Sequence, residues 1–148
     1  MRILYFALFG ILIALSSSSC KTDGCMDEGA LNFDSKADNP ATCNYTNFVF
    51  YAATDMIGGF GVKVERIEIF RSVVGTETKI GEITIMNQGQ PESCDMLTNG
   101  AFVVTPEGSG TFQFTTQYHF VNGTTDRGDS FDFSTSPTQQ CILQNLTL

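Results

Sequence analysis

Five cysteines, a single histidine and a run of acidic and amide side chains are what this 148-residue chain offers for chemistry. His119 would have to serve any Ser-His-Asp arrangement. It sits between Tyr118 and Phe120 in an apparent strand with no nucleophile motif beside it, as a structural or surface histidine would. Zinc sites built on two histidines or on Cys-x-x-Cys are excluded by count and spacing, so a hydrolase is the weakest alternative and no catalytic residue is assigned. Asp27, Asn32, Asp34 and Asp38 could offer oxygens to Ca²⁺, a hard cation that takes about six to eight of them. They lack the Asp-x-[Asp/Asn]-x-[Asp/Asn]-Gly run and closing glutamate of an EF-hand. A solvated loop is therefore the expectation, with a calcium-dependent module as the alternative and no other cofactor.

The cysteines are odd in number, which in an exported chain leaves one thiol for modification or for another chain. Cys20 follows four serines, Ser16 to Ser19, and these follow Arg2 and an apolar run over 3–15, the order of a secretory signal. At about 1.5 Å per helical residue the run reaches roughly 20 Å, short of about 30 Å of bilayer hydrocarbon, so a retained span is not expected. Small residues directly before a cysteine resemble the lipobox of bacterial lipoproteins, although Ser17 stands where Leu, Val or Ile is usual. The resemblance implies a leader over 1–19, removed so that Cys20 becomes the first residue and carries lipid. Ordinary cleavage would give a freely secreted adhesion module instead. Lipidating Cys20 leaves Cys25, Cys43, Cys94 and Cys141, which can pair in three ways. Sequence order favours Cys25 with Cys43 and Cys94 with Cys141, each pair lying within one compositional segment, and the compartment is then oxidising.

Charge narrows the partners. Taking Arg2 from the eight Lys plus Arg leaves seven against sixteen Asp plus Glu, a formal charge of −9. Lys63, Arg66, Arg71 and Lys79 alternate with Glu65, Glu68, Glu77 and Glu82 and form no basic face, which argues against nucleic acid. The same acidity disfavours anionic headgroups, so membrane attachment would rest on the lipid. An envelope protein or a glycan is the expected partner. Arg127-Gly128-Asp129 reads as ordinary turn chemistry, not an integrin ligand. The sequons at Asn44, Asn122 and Asn145 would matter only in a eukaryotic secretory pathway.

The elements that must position these residues divide near Tyr45. From Cys20 to Thr46 the chain is small, polar and acidic. Gly24, Cys25, Asp27, Ala30, Asn32, Phe33, Ala37, Cys43 and Tyr45 fall in a G-C-x-D, A-x-N-[YF], C-x-Y order. That order resembles a short cysteine-bounded motif of secreted and surface proteins of Bacteroidetes bacteria, departing from it at Asp38-Asn39-Pro40-Ala41-Thr42. The resemblance implies a small disulfide-closed module over 20–46.

Over 47–148 the pattern is all-β. Strands are predicted near 47–54, 62–71, 79–86, 100–105, 111–121, 128–134 and 140–148. Ile67 with Ile69, Ile83 with Ile85, Phe112 with Phe114 and Phe131 with Phe133 place large side chains on one face, two residues apart. Phe48, Phe50 and Phe102 join them, while Tyr51, Phe60, Phe70 and Tyr118 are expected to face outward. The alternation slips at Glu65-Arg66, predicting a bulge or bend. About seven strands with turns between them predict an immunoglobulin-like or transthyretin-like sandwich, with a small β-barrel as runner-up. The order of Ile67-Glu68-Ile69-Phe70, Ile80-Gly81-Glu82-Ile83, Cys94, a hairpin at Gly108 and Cys141-Ile142-Leu143 is loosely similar to small sandwich domains of Bacteroidetes lipoproteins. Taken together, these features predict an outer-membrane lipoprotein that is a non-enzymatic binding or structural module, with its periplasmic or surface orientation open.

Overall fold

The computed structural model describes residues 21–86, 89–94 and 100–148, so Cys20 and the leader lie outside the described residues. Period-two alternation becomes nine strands: β1 Asp23–Gly24, β2 Asn39–Pro40, β3 Asn47–Tyr51, β4 Val64–Val73, β5 Thr76–Ile83, β6 Phe102–Val104, β7 Thr111–Phe120, β8 Thr125–Ser134 and β9 Cys141–Asn145. The first two form a small parallel pair in the N-terminal module. The other seven make two sheets, ordered β6-β3-β9 and β5-β4-β7-β8, which face each other as a sandwich; neither closes into a barrel. An immunoglobulin constant-type order would join β3 to β4 and β8 to β9. Here β3 instead lies between β6 and β9, running parallel to β9, which leaves the transthyretin-like alternative.

The core is aromatic. Phe48, Phe50 and Phe114 are fully buried, with Phe112, Phe131 and Phe133 packed against them. Phe131 and Phe133 stack, and the other ring pairs meet at tilted or edge angles, Phe50 and Phe114 with centroids 5.3 Å apart, arrangements the ring quadrupole favours. Ile67, Ile69 and Ile83 fill the same layer. The predicted slip at Glu65-Arg66 appears as a register shift between Val64 and Arg66 in the β4–β7 ladder.

Four expectations are corrected. Ile85 is exposed, because β5 spans Thr76–Ile83 and ends before it. The strand begins early because the preceding turn is tight: Val74 (φ 50°) and Gly75 (φ 77°) join Val73 to Thr76 as a two-residue type I′ turn would. Tyr118 is buried, since it shares the even-numbered face of β7 with Phe114, and its hydroxyl reaches the Thr147 carbonyl at 2.9 Å. Tyr51 does alternate away from Phe50, but it is buried with Val49 on the opposite face of β3. On that side the β5–β6 connection buries Pro91 and is fastened to the start of β9 by the Cys94–Cys141 disulfide (Cα–Cα 5.7 Å). Of the remaining pair expected to face outward, Phe60 is fully exposed and Phe70 half-buried.

Candidate functional site

The module is closed by Cys25–Cys43, with Cα atoms 5.0 Å apart, so both disulfides join the cysteines that sequence order favours. Its polar side chains bond to its own backbone. Asn32 donates from Nδ2 to the Thr42 carbonyl at 2.9 Å and accepts the Asn44 N–H at 2.7 Å, bridging two strands of loop as a backbone pair would. Asp34 accepts the Lys36 N–H, and Ala30 is completely buried beside Cys25.

Asp27 ties the module to the sandwich. One carboxylate oxygen accepts the Gly29 N–H at 2.9 Å, and the other accepts the Tyr45 hydroxyl at 2.9 Å and the Ser109 N–H at 3.3 Å. These donors, the Gly29 amide first, hold its pKa below the usual carboxylate range, while partial burial and then Asp27 itself push the Tyr45 phenol up. Gly29 lies so close to the β6–β7 loop that a Cβ there would stand 2.4 Å from Ser109 Cβ, so the contact admits only glycine. The calcium candidates are thus placed but not brought together. Asp27, Asn32 and Asp34 each accept N–H groups, Asp38 contributes no side-chain bond, and no metal-sized acidic cluster exists among the described residues.

Thr46 makes the second tie. It is fully buried, and its hydroxyl lies 2.7 Å from the Gln139 carbonyl and 3.1 Å from the Ser136 carbonyl while accepting the Ser136 N–H at 3.0 Å. The β8–β9 loop is thereby fixed against the end of the module.

Between these ties runs an open groove of about 570 Å³. Asn32, Asn44 and Tyr45 come from the module, Thr105 and Pro106 from the chain after β6, and Pro137, Thr138 and Gln140 from the chain before β9. Among the described residues no charged one lines it. Asn47 Oδ1 accepts from the Thr105 hydroxyl at 2.8 Å, leaving its amide donors, together with the side chains of Asn44 and Gln140, without a hydrogen bond among the described residues.

His119 lies elsewhere, on the outer face of the four-stranded sheet. Its Nδ1 is 3.1 Å from the Arg66 guanidinium and accepts from it, so Nε2 carries the ring proton. That nitrogen stands 3.0 Å from Glu68 Oε2 but is not aligned for a full hydrogen bond. Glu68 also meets Lys79 at 2.7 Å, a contact that lowers its pKa and raises that of Lys79. The group is a mixed-charge cluster on the outer face of the sheet. Arg127-Gly128-Asp129 is not a turn: all three residues belong to β8. Arg127 pairs with Glu77, and a Cβ on Gly128 would strike the Tyr118 ring at 2.3 Å.

The groove escaped sequence reading because its walls come from three separated segments. The signal that could have found it is the density of carboxamides at Asn32, Asn44 and Asn47 beside a disulfide. No helix among the described residues is long and apolar enough to cross a membrane. Comparison with family models, curated proteins and solved structures returns no match.

Proposed function

We propose that the mature chain begins at Cys20, is lipidated there, and serves as a non-enzymatic binding module anchored at the outer membrane of the cell envelope. One observation carries this reading. The other four cysteines are joined to each other in two disulfides, which leaves Cys20 no cysteine of its own chain to pair with. β1 begins three residues after it, so the module would sit directly on its anchor. One acyl chain gives marginal attachment at about 0.8 kcal/mol per buried CH₂, whereas the several chains implied by the lipobox resemblance would hold the protein durably.

Intact mass of the membrane and soluble fractions from a lipoprotein-processing bacterial host tests the proposal. The expected result is a membrane-bound species starting at Cys20 with added acyl mass and both disulfides retained. A soluble species with no acyl mass overturns the anchor and makes this a secreted module whose Cys20 pairs with another chain or stays free.

A further inference from the structure

We infer that the groove between the module and the sandwich is a binding site for a neutral oligosaccharide. The inference rests on reading the chain as a binding module. Its first support is charge. The chain carries sixteen acidic and eight basic residues, yet none of the described ones lines the groove, so an ionic ligand would find no counter-charge among them. The second is the chemistry of the free groups. A carboxamide offers a donor and an acceptor side by side, and a sugar hydroxyl likewise donates and accepts; among the described residues Asn44 and Gln140 hold such side chains without a hydrogen-bond partner, and Asn47 keeps its amide donors free. Tyr45 adds an aromatic ring whose hydroxyl is held by Asp27, leaving the ring as an apolar surface against which a pyranose can lie.

The third support is rigidity. The disulfide, the Asp27 contacts and the Thr46 hydroxyl fix the walls before any ligand arrives, which reduces the ordering cost of binding. A peptide adding as a β-strand is disfavoured, because Pro106 and Pro137 supply no N–H for a ladder. The volume of about 570 Å³ lies within the range of small-ligand sites.

The test uses the purified mature protein in whichever form fractionation yields, membrane-bound in detergent or soluble, so failure of the anchor and failure of the groove are separate results. Hexasaccharides of β-1,4-glucan, α-1,4-glucan and β-1,4-N-acetylglucosamine, a hexagalacturonate and a neutral Gly-Ser decapeptide are titrated while backbone amide NMR shifts are followed. At least one neutral hexasaccharide should bind, with shifts confined to residues around Asn44, Asn47 and Gln140. The double variant Asn44→Ala, Gln140→Ala should weaken binding by about tenfold while leaving the melting temperature unchanged, since neither side chain bonds to the protein. No shift with any neutral hexasaccharide, binding only of the galacturonate or the peptide, shifts at another surface, or undiminished binding by the double variant each overturns the inference.

Discussion

The module end of the sandwich and the 57–61 segment at its other end are held in different ways. At the module end the ties join residues far apart in the chain: Asp27 to Ser109, Thr46 to Ser136 and Gln139, and Cys25 to Cys43. At the far end the segment Ile57-Gly58-Gly59-Phe60-Gly61 is closed by local backbone bonds, Gly58 N–H to the Val62 carbonyl and Gly61 N–H to the Gly58 carbonyl. Phe60 there has φ 62° and is fully exposed, with Ile57 and Val121 also exposed nearby. Long-range polar ties fix the shape of a surface, whereas local ones fix only a loop. The preformed groove therefore belongs to the first end.

The largest effect that would break this contrast is loss of the module disulfide. Cys25→Ser with Cys43→Ser should cost about 3 kcal/mol of module stability, read as faster hydrogen exchange over residues 23–44 while the amides of β4 and β7 keep their protection. Equal loss in both regions would mean that module and sandwich unfold as one unit. Thr46→Val comes next. It keeps the shape but strands the partly buried Ser136 N–H, and denaturant unfolding should show a loss of about 2 kcal/mol.

Smaller effects come from two left-handed residues. Val74 is a fully exposed β-branched residue at φ 50° in a turn that favours Asn-Gly, so Val74→Asn should raise stability by about 1 kcal/mol in thermal melts. Phe60→Gly relieves the same kind of strain but frees the unfolded chain, so its melting temperature should move by less than that of Val74→Asn. The mildest test is acid. Because the Asp27 pKa is depressed in the folded state, its contribution is present above the unfolded value and lost as pH falls below about 4. Exchange at Gly29 and Ser109 should rise in that window, and Asp27→Asn should remove the dependence.

The strands were legible because each side chain's face follows from its position in an alternation, and the bulge was legible because Val64 and Ile67 break that alternation. Burial on both faces was less so. The unbroken apolar run Phe48-Val49-Phe50-Tyr51-Ala52 marks a strand covered on two sides, yet alternation alone places Tyr51 outward. Arg127-Gly128-Asp129 looked like a turn because glycine tolerates turns. In the sandwich that glycine makes room for the Tyr118 ring, a contact between strands that composition does not encode. Asp27 and Asn32 were visible as oxygen donors, but their partners at Ser109, Tyr45 and Thr42 depend on how the loops meet. The groove was invisible for the same reason, since positions 44, 106 and 140 become neighbours only after folding.

The parallel pairing of β3 with β9 bears on the order in which the protein folds. The first strand of the sandwich needs Cys141–Asn145 beside it before the aromatic core can close, so a chain emerging N-terminus first stays incomplete until those residues have appeared. On the export proposed above, such a topology would keep the sandwich unfolded until those residues are available. The module disulfide joins cysteines 18 residues apart, so closing it does not wait for β9.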